Sequence, residues 1–346
     1  MRRILIVGCG DIAMRVARLL YKGNDGRCRL FGLVRHATRF DELRALGITP
    51  LLGDLDDAKS LRRVAGLADV VLHFAPPPTE KFLLHPPLIK GDDSTNSGAL
   101  GFPPFAKGGQ GGFNVPRKFD VPEKPNLPEK YNLIDTRTRN LLAVLSQGIL
   151  PRRLVYISTS GVYGDCGGAI ISETHPLNAQ TARAQRRIDA EQQIRSWATR
   201  NQVHASILRV PGIYAADRLP LDRLRTGTPA IVQEQDSYTN HIHADDLARI
   251  VLAALHKAKP NRIYHASDDS QLKMGDYFDA VADAHHLPRP PRLTRAAVER
   301  AVSLMLWTFM SESRRLTNAR MKRELKILLR YPAVADALVS MQNAPP

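Results

Sequence analysis

Ile4-Leu5-Ile6-Val7-Gly8-Cys9-Gly10-Asp11-Ile12-Ala13 is the stretch that decides the fold of this 346-residue chain. Four apolar, largely β-branched residues form a short buried strand, and a glycine ends it. From Asp11 to Lys22 the apolar residues Ile12, Val16, Leu19 and Leu20 fall at helical spacing, and Gly23 stops the helix. Gly8 permits a tight turn, and Gly10 lets a ligand approach the backbone. Ala13, in the third position, still allows the helix to pack closely on the strand. The first N–H groups of such a helix lack partners and carry partial positive charge, so the turn suits a diphosphate. A glycine turn with no ligand is the plainer alternative, and the strand before and helix after it weigh against that.

Strand and helix signals alternate outward from this turn. Residues 30–34, 48–52 and 70–75 read as strands, and 40–46 and 58–67 as helices. The alternation resumes with strands at 154–158, 205–210 and 263–266 and helices at 182–200 and 247–257. Strands separated by helices of this length imply right-handed βαβ crossovers and a parallel sheet. The predicted fold class is therefore α/β, a Rossmann-type doubly wound parallel sheet with a small C-terminal substrate cap. The sheet and its helices take residues 1–78, 131–212 and 241–267, and 213–240 with 268–346 are left for the cap.

Residues 79–130 interrupt the pattern. The 54 residues from 79 to 132 hold seven glycines and eight prolines, a low-complexity composition that predicts disorder. An active-site lid would be the functional reading. The alternative is an insertion without chemistry, whose wording resembles a translated interspersed repeat, and long surface insertions cost little entropy.

The end of the second strand bears on the cofactor. An NAD-binding chain usually has Asp or Glu there for the ribose 2′-hydroxyl; this one has Val34-Arg35-His36, with Arg39 a turn later. A guanidinium suits a 2′-phosphate, so NADP(H) is favoured and NAD(H) stays open. A solvated loop arginine is the alternative for Arg35.

Composition narrows the classes. The chain is 43% hydrophobic and 24% charged, as ordinary globular proteins are. Cys9, Cys28 and Cys166 are scattered, with no redox-pair or metal-ligand spacing, which fits a reducing cytoplasm. The apolar run after Arg3 is too short for a signal peptide. Residues 301–310 fall short of the ~20 that a membrane span requires and read as a buried helix. Net charge is +15, and residues 288–330 carry eleven Lys and Arg against three Glu. Such a segment could grip nucleic acid, line a helix face, or welcome a phosphorylated small-molecule substrate. The absence of interleaved aromatics and of any nucleic-acid motif argues against the first.

Further phrases resemble the extended short-chain dehydrogenase/reductases, the NAD-dependent epimerase/dehydratase family. They are Asp54-Leu55, His73-Phe74-Ala75, Thr138-Arg139-Asn140-Leu141-Leu142, Ser158-Thr159-Ser160-Gly161-Val162-Tyr163-Gly164, Arg209-Val210-Pro211-Gly212-Ile213-Tyr214, and His241-Ile242-His243-Ala244-Asp245-Asp246-Leu247-Ala248. The resemblance implies cofactor contacts from Gly8, Gly10, Ile12, Ala13, Arg35, Asp54, Leu55, Ala75 and Pro211. It also implies a polar carbonyl or hydroxyl substrate such as a nucleotide-linked sugar, and a homodimer through the helices at 135–145 and 182–200.

The family's catalytic YxxxK is missing. With Glu191 set on the glutamate that follows that motif, Arg183 stands at the tyrosine and Arg187 at the lysine, and no Tyr or Lys occurs from 165 to 212. An arginine stays protonated and cannot act as a general base near neutral pH, though it can bind phosphate or polarise a carbonyl. Thr159 stands at the family's catalytic Ser/Thr. Such departures resemble the atypical subgroup of the superfamily. Arg183 and Arg187 could also be one solvated helix face. Tyr163 is the nearest tyrosine, and His73, His175 and His243 are further candidates because an ordinary imidazole suits proton transfer near neutral pH, although a lone histidine is more often structural. No metal cluster is visible. Two functions stay open: an NAD(P)-dependent oxidoreductase or epimerase with a non-standard proton donor, and a non-catalytic NAD(P)-binding regulatory or structural protein.

Overall fold

The computed structural model describes residues 2–22, 28–78 and 133–342. The low-complexity stretch at 79–130 lies outside them. Seven strands build the central sheet, and six smaller ones punctuate the loops. In chain order they are β1 (Arg2–Val7), β2 (Cys28–Val34), β3 (Ile48–Leu52), β4 (Val70–His73), β5 (Arg153–Thr159), β6 (Ile170–Ile171), β7 (His204–Val210), β8 (Gly212–Tyr214), β9 (Ala230–Ile231), β10 (His241–His243), β11 (Arg262–His265), β12 (Arg292–Leu293) and β13 (Arg315–Leu316). The helices are α1 (Asp11–Lys22), α2 (Phe40–Ala45), α3 (Thr136–Leu145), α4 (Ala182–Asn201), α5 (Leu221–Arg225), α6 (Ala244–Lys257), α7 (Met274–Ala284), α8 (Arg295–Ala301), α9 (Leu304–Met310), α10 (Ala319–Leu325) and α11 (Val334–Gln342).

The central sheet runs β11-β7-β5-β4-β1-β2-β3, and every pair is parallel. From β1 the chain first builds outward through β2 to β3, then returns to the other side of β1 for β4. Strand order therefore reverses between β1 and β4, which opens a crevice at their carboxyl ends. Val7 lies in register with both Leu33 and His73 there. Pro50 is tolerated in β3 because that strand is an edge.

Both faces of the sheet are covered, which is why its strands read as near-continuous apolar runs. On one face α1 and α6 pack with Val16, Ala17, Leu247, Ile250 and Val251 fully buried. On the other, α3 and α4 bring Leu141, Val144, Ile194 and Trp197 against Leu5, Val71 and Tyr156. Met321 and Leu325 of α10, from the segment assigned to the cap, join the first of these cores. A separate cluster of Tyr214, Leu224, Tyr277, Phe278, Val281 and Leu338 unites β8, α5, α7 and α11.

Two expectations need correction. Residues 58–67 form no α-helix; Ala58–Val64 is 3₁₀. Asp57 accepts the Lys59 N–H at 2.9 Å, and the Ser60 hydroxyl bonds the carbonyls of Asp54 and Asp57. These local bonds tighten the turn, and the buried Leu61 and Val64, three apart, share one face of it. Residues 301–310 are not one buried helix either. Val302 is extended, and the Ser303 hydroxyl caps α9 by accepting the Leu306 N–H. That rotation leaves Leu304 76% and Met305 73% exposed, with only Met310 fully buried.

The basic segment 288–330 is not a free cationic stripe. Arg292 pairs with Asp279, Arg314 with Glu312, Arg320 with Glu173, and Lys322 with Asp269. No helix among the described residues is long and apolar enough to cross a membrane.

Candidate active site

Geometry at the glycine turn follows from its sequence. Gly8 has φ +91°, and a Cβ there would meet the Ala75 backbone nitrogen at 2.5 Å. Only glycine fits, because the end of β4 folds back with the Phe74 and Ala75 N–H groups donating to the Val7 carbonyl. Gly10 is the opposite case: a Cβ there would meet nothing within 4 Å. That open space lies beside the unpartnered N–H groups of the α1 amino end. The Cys9 thiol packs beneath, pushed up to about 12 by burial, so it is an inert packing group.

A cavity of about 480 Å³ opens from this turn. It brings together Gly8, Gly10, Ile12, Ala13, Arg35, Asp54, Leu55 and Ala75, eight of the nine residues expected at a cofactor. Arg35 is exposed and makes no ion pair among the described residues. Arg39 is committed elsewhere, donating to the Cys9 carbonyl at 2.8 Å and pairing with Glu42 at 2.7 Å. Asn140 of α3 donates to the Leu55 carbonyl at 2.8 Å and so fixes the loop after β3. Asp11, beside the turn, is neutralised by Arg15 at 3.0 Å and Arg218 at 3.1 Å. These residues fit a dinucleotide: an open glycine cradle, a helix amino end, and a spare guanidinium at the end of β2.

A second cavity, of about 280 Å³, shares Ile213 and Arg218 with the first. Pro211 lines this one and not the first. Thr159, at the end of β5, and Arg183 line it too, whereas Arg187 faces the larger cavity. The two arginines are thus not one solvated face. Arg187 donates to the Tyr156 hydroxyl at 2.9 Å and to the Ile157 carbonyl at 2.7 Å. Arg183 lies 5.0 Å over the Phe309 ring.

Neither Tyr163 nor any of His73, His175 and His243 lines either cavity. Tyr163 is buried, its oxygen accepting from Arg209 at 2.7 Å. His265 bonds the Thr317 carbonyl through Nδ1, which places its proton there, so Nε2 accepts the Tyr163 proton at 2.5 Å. His73 is held on Thr138, and burial drives it down to about 3. His243 caps α6 by accepting the Asp245 N–H through Nδ1. His175 packs edge-on against Tyr163.

Sequence reasoning missed His241, Tyr277, Phe309 and the Glu312–Arg314 pair, which complete the second cavity. His241 stacks on Tyr277 with ring centroids 4.1 Å apart, and burial brings it down to about 3, so the ring is neutral at physiological pH. His241 stood inside a quoted motif, the one signal that could have found it. The others come from distant segments that only the fold brings together.

Asp268 backs this wall, its N–H donating to the His241 carbonyl at 2.8 Å. Burial raises its carboxyl from 3.8 to about 7. Between those values the folded chain keeps a proton that the unfolded chain releases, so stability falls as pH rises through that window. Asp268→Asn should remove this slope and gain on the order of 2–4 kcal/mol over the parent at pH 8, with little difference at pH 4. Parallel stability curves for the two proteins in urea melts across pH would refute the assignment.

Among the described residues no group of His, Cys, Asp and Glu could hold a metal ion. The reversed strand order, the glycine turn and the crevice above it define a Rossmann-type fold. Residues 120–267 match the model of the NAD dependent epimerase/dehydratase family, so the family resemblance carried by the motifs is borne out over that segment. The fold is shared across solved structures. One is a functionally unknown conserved protein from Silicibacter pomeroyi, with TM-score 0.68 and 24% identity, covering 99% of this chain and 98% of that one. Another is dTDP-glucose 4,6-dehydratase from Bacillus anthracis in complex with NAD, with TM-score 0.67 and 13% identity over 99% and 96%. A third is UDP-glucuronic acid 4-epimerase from Bacillus cereus in complex with NAD, with TM-score 0.64 and 15% identity over 99% and 100%. No curated protein matches the chain by sequence.

Proposed function

We propose that the chain is an NADP(H)-preferring oxidoreductase or epimerase, acting on a polar carbonyl or hydroxyl compound in the second cavity. The observation that carries this reading is that the two cavities share Ile213 and Arg218 in their walls, a closeness that would set a substrate beside the nicotinamide end of a bound dinucleotide. When bound, that cofactor supplies or accepts a hydride. The α1 amino end would hold the diphosphate, Arg35 the 2′-phosphate, and Asp54 with Leu55 the adenine side. Arg187, fixed on Tyr156 and Ile157, would brace the cofactor's ribose, where the family has its lysine. Thr159 and Arg183 would hydrogen-bond the substrate oxygen, and neutral His241 can donate one N–H to it.

A nucleotide-linked sugar and smaller polar carbonyl compounds are both candidate substrates, and the relatives in complex with NAD keep NAD(H) a candidate cofactor. Arg35→Ala should weaken NADPH about tenfold and NADH little, since one charge-assisted contact is worth roughly 1.5–3 kcal/mol. Calorimetry with both nucleotides decides it: equal losses would remove the NADP(H) assignment. The missing tyrosine favours a second reading, a non-catalytic NAD(P)-binding regulator. Nucleotide oxidation or reduction across carbonyl and hydroxyl compounds separates the two. Homodimerisation through α3 and α4 belongs to the same proposal and is read by light scattering.

A further inference from the structure

The second cavity holds a guanidinium that no neighbour hydrogen-bonds. Arg183 stands in the first turn of α4, where the helix dipole is already positive. Among the described residues its guanidinium makes no ion pair and no hydrogen bond, only the face contact with Phe309 at 5.0 Å. Burial and the neighbouring Arg187 both work against its charge and outweigh the attraction of Glu312, which lowers its pKa from the ordinary arginine value. The one carboxylate of the cavity, Glu312, is already paired with Arg314 at 2.7 Å. Arg314 also donates to the Gly164 carbonyl, and Arg218 is engaged by Asp11 at 3.1 Å. So three arginines line the cavity, and among the described residues Arg183 is the one whose guanidinium makes no hydrogen bond at all.

Two further observations point the same way. At the amino end of α4, Thr181 satisfies the N–H groups of Ala184 and Gln185, while those of Ala182 and Arg183 have no partner within the helix. His241 is 5% exposed and lines the cavity, and its Nδ1 is buried without a hydrogen-bond partner. An unpaired buried acceptor costs less than an unpaired buried N–H, so the ring proton belongs on Nε2. The cavity therefore gathers donors and positive charge, with the flat rings of Phe309 and Tyr277 beside them.

We propose that this cavity takes a small acid, its carboxylate or phosphate paired with the Arg183 guanidinium and its carbon skeleton laid against Phe309 and Tyr277. This rests on the cavity being the substrate site, and it narrows the substrate from polar compounds in general to anionic ones. A planar guanidinium with free donors matches either oxyanion in bidentate fashion.

Calorimetry on the full chain tests it, with saturating NADPH filling the first cavity so that no probe can bind there. The probes are malonate and glucose 6-phosphate, each against its uncharged counterpart, malonamide and glucose. At least one acid should bind tenfold or more tightly than its counterpart, and which one does distinguishes a carboxylate site from a phosphate site. Arg183→Gln should cost that acid at least tenfold, Arg183→Lys less, and neither should change NADPH affinity more than twofold. Acids that bind no better than the neutral compounds, no binding of any probe, or an Arg183→Gln protein indistinguishable from the parent would each overturn the proposal. Failure of NADPH itself to bind would instead strike the proposed function, and titrating the acids alone would still read the anion site.

Discussion

Replacing Glu191 with leucine is expected to lower the unfolding free energy by about 3–5 kcal/mol, the usual cost of leaving a buried charge without its partner. Glu191 and Arg209 form an ion pair at 2.7 Å with side chains only 4% and 3% exposed. The Ser158 hydroxyl donates to the same carboxylate at 2.6 Å, and Arg209 reaches on to the Tyr163 hydroxyl and the Glu173 carbonyl. Every member of this network has a partner, so removing one strands the rest. The double variant Glu191→Leu/Arg209→Met should recover part of the loss, because an apolar pair of similar volume leaves no orphaned charge. Urea melts of the three proteins read this directly, and a single variant as stable as the parent would refute it. The pair also ties α4 to β5 and β7, so it sets where Arg183 and Arg187 stand relative to Thr159. A loosened pair should therefore blur both cavities even where the chain stays folded.

The second large effect separates the two glycines of the opening turn. Gly8→Ala puts a Cβ at φ +91° and 2.5 Å from backbone that cannot swing aside. Left-handed strain and overpacking together should cost about 2–4 kcal/mol and displace the end of β4. Gly10→Ala meets open space, so stability should change by less than about 0.5 kcal/mol. Its methyl group would stand where the diphosphate must approach, so nucleotide affinity should fall at least tenfold. Thermal melts and calorimetry on both variants give the contrast. If Gly10→Ala bound nucleotide like the parent, the turn would not be the phosphate cradle.

What could be read from the residues was what local periodicity and the glycine turn dictate. Ile4 to Ala13 specify strand, turn and helix without help from the rest of the chain, and each later strand of the central sheet announced itself by apolar content, whereas the two- and three-residue strands such as β6 and β9 did not. The errors fell where one side chain redirects the backbone. Ser60 turned an expected helix into a 3₁₀ segment, and Ser303 broke another in two. Ion pairing was also invisible: Arg35 and Arg39 look alike in sequence, yet Glu42 and the Cys9 carbonyl occupy only the second. The second cavity was legible only in part. Thr159 sits in a recognisable motif and Arg183 is placed by its spacing from Glu191, whereas Phe309 comes from the segment whose helix was misjudged and Glu312 from just beyond it.

The end of the chain is tied to α6 through Asp246. Its carboxylate is wholly buried and accepts the backbone N–H groups of Arg330 at 2.8 Å and Tyr331 at 2.7 Å. A chain cut short before Arg330 would strip both donors from that carboxylate and uncover Tyr214, Phe278 and Val281, which pack against Val334, Ala337 and Leu338. Shortening from that end should thus unsettle the nucleotide half of the molecule, some eighty residues upstream, before any substrate is considered.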